Sequence, residues 1–318
     1  MHKGGLVKSD KPLILDTTHY IPVRYARRLK EFDMGNLTRR IDINILGEED
    51  KPKILEALRN IEEAVKRLKR ERVLAPIRKD LEANMQTVFR KQGRLFAKGM
   101  VKYKGLFSEA FGESEIGNIA GIVEIDTVEE MTGVIHAGSS AAMEAGMSAA
   151  AEWGVNVALA LKNPRAVEWL ESHAAEMVTK INETTRGDIA SLVKRGVEEG
   201  WSYNKTAREI SGRYEEFAIG KPQLHIESRA HLVAVTESAN AYGQGNRQSI
   251  DTLTAAGLEM EHDWNTMGDD LVSEGCLENE AAGWIPLDES FPSGDDEEPR
   301  FPGCRCYVAY RRVGTGEG

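Results

Sequence analysis

The sequence lacks the long apolar runs that a membrane protein needs. No stretch of its 318 residues approaches the roughly 18 uninterrupted apolar positions of a bilayer-spanning helix. The first ten residues, Met1 to Asp10, also lack the apolar centre of a secretory signal peptide. We therefore expect a protein that does not enter a membrane and that is made in the cytoplasm.

Cysteine and aromatic residues are both scarce. Aromatic residues make up 7% of the chain, so a large aromatic core is not expected. The three cysteines, Cys276, Cys304 and Cys306, all lie near the C-terminus, and an odd number in a reducing compartment argues against a disulfide framework. Their clustering indicates a local feature at that end of the chain.

Signatures of common enzyme classes are also missing. The chain has no Walker-type phosphate loop, no Gly-x-Ser-x-Gly elbow and no His-Glu-x-x-His helix. Its net charge of −10 disfavours a surface that binds nucleic acid through the phosphates. DNA contact stays open because basic residues cluster from Lys66 to Arg72, although a solvated helix face is the simpler interpretation of that cluster.

What the chain does contain is mostly helical periodicity. Residues 1–47 show no sustained period and predict an irregular arm, which either wraps a neighbouring subunit or frays. From Lys51 the apolar spacing alternates between four and three, which predicts a helix packed in its own domain or in a coiled coil. The residues of this stripe are Ile54, Leu58, Ile61, Val65 and Leu68.

Proline, glycine and capping residues divide the helical region. Pro76 should bend or end the first helix, and a second helix should follow it. Residues 112–125 predict a loop or linking strand, before a helix capped by Asp126. The small residues from Ala137 to Ala151 either let helices approach closely or simply reflect high helix propensity.

Further capping signals mark the next helices. Asn163-Pro164 places proline at the first position of a helix, and Asn182 opens another helix that Gly200 closes. Ser202 begins the next helix, and 226–256 predicts a single long one. Three short strands should follow, at Leu258–Trp264, Trp284–Leu287 and Cys306–Tyr310.

The sequence therefore predicts a mainly α fold, in which long helices precede a small C-terminal α+β domain with a short antiparallel sheet. The expected divisions are an arm at 1–47, a helical domain at 48–222, the α+β domain at 223–312 and a flexible tail at 313–318. The change of hydrophobic period after the long helix marks the start of the sheet.

An ordered set of residues in the last third of the chain is its most informative feature. In chain order the set is Arg229, Thr236, Glu237, Trp264, Asp270, Cys276, Asn279, Gly283, Cys304, Arg305 and Cys306. Each residue alone is a weak signal, but the order and spacing resemble the C-terminal domain of the phage Mu F-like minor head proteins. The resemblance continues upstream to about residue 80, through Asn163-Pro164 and the turn at Gly200.

The resemblance implies a structural protein of a tailed bacteriophage or prophage, acting in head morphogenesis near the portal and not as an enzyme. It implies the portal, scaffolding or major capsid protein as partner, and the virion head as location after assembly in the host cytoplasm. All of the ordered set except Cys276 would form the structural framework of the domain. The alternative is a metal-dependent hydrolase or nuclease built on Asp269, Asp270, Glu237 and the cysteine loop, the C-terminal segment that carries Cys304 and Cys306. These residues are candidates because general acid–base chemistry needs paired ionisable groups.

The cysteines suggest zinc as a cofactor. The candidate ligands are Cys276, Cys304, Cys306 and His262, enough for a tetrahedral site. Ser273 and Phe301, however, stand where the family pattern has a cysteine and a histidine. The other interpretation is a loop held by aromatic packing, with the cysteines as small buried hydrophobes. The aromatic residues of that interpretation are Trp284, Phe291 and Phe301.

Two charged groupings also have two interpretations each. Arg229 and Glu237 lie eight residues apart on one helix face, and either clamp the helix to the sheet as an ion pair or are ordinary surface charges. The acidic run 295–298 either binds Mg²⁺ or Ca²⁺ or, as for most runs of like charge on a loop, faces water.

Overall fold

The computed structural model describes residues 51–104, 113–151, 164–220 and 226–314. The predicted arm at 1–47 lies outside these residues, as does most of the predicted tail. The chain divides into two compact units, Met1–Arg70 and Glu71–Gly318. The packing described below is that of the second unit.

Six helices and three short strands follow one another in the described residues. The helices are α1 (Lys51–Lys104), α2 (Glu113–Ala151), α3 (Pro164–Glu198), α4 (Tyr203–Ile219), α5 (Arg229–Ala255) and α6 (Glu274–Ala282). The strands are β1 (Met260–Asn265), β2 (Ile285–Pro286) and β3 (Tyr307–Arg312). This architecture confirms the predicted mainly α fold with a small sheet near the C-terminus. None of the described helices is long and apolar enough to cross a membrane.

The prediction that Pro76 could end the first helix was wrong. Pro76 lies inside α1, which continues to Lys104 as one helix. Proline inside a helix costs about 3 kcal/mol, because it removes a hydrogen bond and crowds the preceding turn. Leu74 and Leu81 are almost fully buried on either side of it. Burying such side chains offsets the cost of the proline, at about 1.5–3 kcal/mol each.

Two further helix boundaries were also wrong. From Glu113 onward the predicted loop is the first part of α2, where Ile119 and Val123 are buried in the core. Asn182 lies in the middle of α3 and is buried, with its side-chain oxygen 3.5 Å from Gln92 Nε2. In both places tertiary packing outweighs a local preference for a turn or a cap, which is worth only about 1 kcal/mol.

Helix ends that rest on capping chemistry were confirmed. Ser202 caps α4 by accepting a hydrogen bond from Lys205 N, and α3 begins at Pro164 as predicted. Gly200 follows α3 with a φ of +64°, and Gly257 follows α5 with a φ of +87°. Only glycine adopts this left-handed conformation without steric cost, so these two positions end their helices reliably.

Helix α5 is the centre of the second unit. Its buried residues include Ala230 and Ala234 in the core shared with α1 to α4, and Ala241 in a second cluster with α2 and α3. Near its C-terminal end, Ile250 and Leu253 pack instead against the small sheet. One helix therefore contributes to all three hydrophobic clusters.

The contact between α2 and α5 is unusually close. A Cβ atom added at Gly146 would lie 2.0 Å from the carbonyl oxygen of Tyr242, and one added at Gly245 would lie 2.2 Å from the carbonyl oxygen of Met143. Each glycine therefore lets the backbone of the other helix reach its own. Of the two interpretations of the small residues from 137 to 151, close helix approach is the one that the structure shows.

The sheet is antiparallel, with the strand order β2-β1-β3. His262 in β1 pairs with Ile285 on one side and Tyr310 on the other, while Trp264 pairs with Val308. All three predicted strands are present. Five of the eleven residues of the ordered set lie in the loops beside these strands, so the sheet positions them against α5. They are Asp270, Gly283, Cys304, Arg305 and Cys306.

We expect Gly146→Ala to lower the free energy of unfolding by about 1–3 kcal/mol or more, because the new methyl group overlaps a backbone carbonyl that cannot easily move. Chemical denaturation followed by circular dichroism measures this change. The control is Gly133→Ala on the same helix, where an added Cβ meets nothing within 4 Å. This control should gain up to about 1 kcal/mol from better helix propensity. Equal stability of the two variants would contradict the close crossing.

Candidate functional site

Helix α5 holds the cysteine loop through Thr236. The Thr236 hydroxyl accepts a hydrogen bond from Gly303 N at 3.0 Å and donates to Leu232 O at 2.7 Å. Gly303 directly precedes Cys304, so this bond fixes the loop that leads into β3. The predicted framework role of Thr236 thus corresponds to a specific contact between the helix and the loop.

The predicted clamp between Arg229 and Glu237 was wrong. Arg229 donates instead to the carbonyl oxygen of Ile181 at 2.9 Å, and its guanidinium lies 4.7 Å from the ring centre of Phe217. Burial lowers the pKa of Arg229. Eight residues separate the two charges by about 12 Å along the helix axis, which is too far for an ion pair.

Glu237 pairs with a histidine that the sequence analysis did not single out. Its carboxylate oxygen lies 2.5 Å from His173 Nε2, and both side chains are buried. The ring of Trp169 stacks on His173 with the centroids 4.2 Å apart. Glu237 and Arg229 therefore both fasten α5 to α3, rather than to the sheet. Adjacent in sequence, Thr236 and Glu237 face different neighbours.

Three framework residues hold the α+β part together internally. Trp264 is fully buried and meets Phe291 edge to face, with ring centroids 5.2 Å apart. Asn279 is buried in α6 and accepts a hydrogen bond from Ser293 N at 3.0 Å. Gly283 ends α6 with a φ of +65°, a conformation that favours glycine.

The acidic residues of the alternative hydrolase are not gathered. Asp269 forms an ion pair with Arg305 at 2.7 Å, whereas Asp270 is exposed. Glu237 is buried against His173, as described above. In the described part of the chain, two groups of side chains are close enough to hold a metal ion, and none of these three carboxylates belongs to either group. The groups are the three cysteines, and Glu82 with Glu227 and His231. A paired acid and base in one cleft is therefore not what this geometry provides.

The three cysteines form a buried cluster. Their sulfur atoms all lie within 4.8 Å of one another, and Cys276 Sγ is 3.9 Å from Cys304 Sγ. Cys276 comes from the first turn of α6, whereas Cys304 and Cys306 lie just before β3. A cavity of about 20 Å³ is lined by these cysteines together with Ser273 and other residues of both segments.

The hydrogen bonding within this cluster favours one thiolate. A hydrogen bond from the Cys306 thiol lowers the pKa of Cys304 to about 6, and backbone N–H donors from Cys306 and Arg300 act in the same direction against the effect of burial. The same thiol–thiolate hydrogen bond, together with burial, raises the pKa of Cys306. Among the three thiols, this hydrogen bonding therefore favours deprotonation of Cys304 over deprotonation of Cys306.

His262 lies apart from the cysteine cluster. It is fully buried in β1, where its ring packs against Phe291 with the centroids 4.4 Å apart. Nε2 donates to the carbonyl oxygen of Glu289 at 2.9 Å, and burial lowers the pKa of the ring. Of the four predicted ligands, the structure thus brings together the three cysteines but not His262.

The other interpretation of this loop was that aromatic packing holds it. Phe301 is 36% exposed, so that packing rests mainly on Phe291.

The interpretation that the acidic run 295–298 faces water was wrong for its last residue, Glu298. Glu298 is 2% exposed and accepts a hydrogen bond from Val308 N at 3.1 Å. β3 is an edge strand, so its outer N–H groups need partners from outside the sheet. Glu297 is partly buried and lies beside Gln244 and Arg247 of α5. The run therefore docks the loop on both the strand and the helix.

A comparison with known families agrees with this picture. Residues 187–309 match the family model described as "Phage Mu protein F like protein". This part of the chain is similar to the Mu F-like family. The matched segment begins within α3 and ends within β3, so it includes every framework residue and all three cysteines. The proposed resemblance between residue 80 and residue 186 stays a prediction. No curated protein and no solved structure matches the chain.

Several contacts of the Mu F-like segment were missed because their sequence signals were weak. Two glycines, Gly243 and Gly245, stand inside α5, where each should cost about 1 kcal/mol. Gly245 admits the backbone of α2, and Gly243 admits Glu298, whose carboxyl carbon would lie 3.0 Å from an added Cβ. Interior helix glycines could have pointed to close contacts. Nothing in the sequence pairs His173 with Glu237.

Stability should depend on pH through Glu297. Burial raises its pKa from 4.5 to about 6, so the folded state binds more protons than the unfolded state between these values. This group alone therefore lowers stability as pH rises from about 4.5 to 6, by at most about 2 kcal/mol. Glu297→Gln removes that term. The variant should gain stability over the wild type between pH 4 and pH 7.5, measured by urea denaturation at each pH. A constant difference across this range would contradict the assignment.

Thr236→Val should loosen the cysteine loop. The change removes the oxygen that accepts from Gly303 N and should cost about 1 kcal/mol. Hydrogen exchange of residues 301–306 should speed up. Thr252→Val is the matched control, because Thr252 lies exposed on the same helix and bonds only to Gln248 O. If both variants left the loop equally protected, the contact would not matter for its position.

Proposed function

We propose that this chain is a minor head protein of a tailed bacteriophage or prophage, acting in head morphogenesis near the portal. The observation that carries the proposal is the Mu F-like match over residues 187–309, together with the ordered framework inside it. In this proposal the chain assembles in the host cytoplasm and ends in the virion head. Its partners are the portal, scaffolding or major capsid protein.

The roles of the framework side chains support a structural protein. Thr236, Glu237 and Asn279 all bond to other parts of the chain. Such internal contacts are what a structural role for these residues requires. Partner binding would then fall on the remaining surface of the protein, since the framework itself is occupied.

The test uses phage or prophage particles that encode the chain. Procapsids and mature heads are purified by density gradient and analysed by mass spectrometry, with an abundant host protein as control for contamination. We expect peptides of this chain at a constant ratio to the major capsid protein through successive gradients. Absence of the chain from both particles, while it is present in the lysate, would reject the proposal.

Complementation separates assembly from catalysis. Deletion of the gene should reduce infectious particles, and the wild-type gene should restore them. Asp270→Asn should restore them equally, because this carboxylate is exposed and takes part in no hydrogen bond or ion pair among the described residues. A loss of infectivity with normal head incorporation of this variant would instead support the hydrolase alternative.

A further inference from the structure

The cysteine cluster has the dimensions of a metal site. In a tetrahedral zinc site the Zn–S distance is about 2.3 Å, which places two thiolate sulfurs about 3.8 Å apart. Cys276 Sγ and Cys304 Sγ are 3.9 Å apart, and Cys306 Sγ lies within 4.8 Å of both. A disulfide would need about 2.05 Å instead. Two of the sulfurs therefore stand at the spacing of tetrahedral zinc ligands, and the third lies near enough to join them.

The fourth corner has an oxygen donor close at hand. Ser273 caps α6 by accepting from Cys276 N at 3.4 Å, and its hydroxyl also hydrogen-bonds with the Cys276 thiol. Ser273 lines the same cavity of about 20 Å³ as the three cysteines. This volume is enough for one water molecule. Either the hydroxyl or a water held by it can supply the fourth ligand.

Two arginines lie beside the charge that such a site would carry, and each also pairs with an aspartate, Arg300 with Asp295 at 3.0 Å and Arg305 with Asp269 at 2.7 Å. Three thiolates and a divalent ion leave a net charge of −1. Arg305 lines the cavity, and the Arg300 guanidinium covers Gly275, where an added Cβ would lie 2.6 Å from its Cζ. Gly275 precedes Cys276 in α6. Two guanidinium groups thus stand close to the place where this negative charge would be buried.

We propose that Cys276, Cys304 and Cys306 bind one zinc ion as thiolates, with an oxygen ligand beside Ser273 in the fourth position. Thiolates select soft or borderline ions, and an oxygen in the fourth position suits zinc. The ion ties α6 to the entry of β3, two segments that are otherwise joined through long loops. This site does not depend on the proposed head role, and its tests do not use phage.

The first test measures zinc in the full chain. The protein is purified under reducing conditions without chelator, supplied with Zn²⁺ and then dialysed. We expect one zinc ion per chain, and X-ray absorption with three sulfur neighbours at about 2.3 Å and one lighter neighbour. No retained zinc would overturn the proposal, as would a mass loss of two hydrogens that maps to a Cys276–Cys304 disulfide in the native chain.

Variants locate the ligands. Cys304→Ser should lose its zinc in the dialysis that the wild type survives, whereas Asp270→Asn, an exposed carboxylate nearby in sequence, should keep it. Ser273→Cys should raise the sulfur count from three to four and slow the loss of zinc to a chelator. If the count stayed at three in this variant, the fourth position would not lie beside Ser273, and that part of the proposal would fall.

A test on the wild type guards against variants that fail to fold. Stepwise addition of an organic mercurial should release zinc in proportion to the thiols modified, as reported by a zinc-sensitive dye. The midpoint of thermal unfolding should fall when a strong chelator removes the ion and return when Zn²⁺ is restored. Thiol modification without zinc release, in a chain shown to contain zinc, would place the ion elsewhere and reject the cysteine site.

Discussion

The close contact between α2 and α5 is the constraint on which the second unit depends. At Gly146 and Gly245 the backbone of each helix reaches the other, leaving no room for even one methyl group. Such an approach fixes the depth and rotation of α5 relative to α2, because any slip along or around the axis brings a larger side chain into the crossing. Helix α5 in turn contributes to all three hydrophobic clusters.

Buried polar contacts then set the register of α5 against its other neighbours. His173 and Glu237 meet in the interior, and Arg229 reaches a carbonyl of α3. On the side of α5 that faces the loops of the sheet, Thr236 accepts a hydrogen bond from Gly303 N, and Gly243 makes room for Glu298. Buried polar groups are costly unless they are paired, so each of these pairs penalises alternative arrangements more than it adds stability.

The small sheet is the least self-sufficient part of the unit. It has three strands, one of them only two residues long, and its edge strand relies on Glu298 for a hydrogen bond. A sheet of this size needs a covering layer or a cross-link to be stable. Helix α5 supplies the layer. In our proposal zinc supplies the cross-link, since metal binding can replace part of a core in a small unit.

The sequence by itself determined the features that depend on local chemistry. Serine caps, glycines with positive φ and the change from helical to alternating periodicity located α4, the end of α5 and all three strands. The ordered set from Arg229 to Cys306 predicted the Mu F-like segment. These signals are local, because a cap or a left-handed turn is decided within a few residues.

Tertiary structure alone decided the rest. Packing carried α1 through Pro76 and α3 through Asn182, and it brought His173 to Glu237 and three cysteines to one point. Those outcomes depend on which faces meet across the fold, and residue spacing along the chain does not encode that.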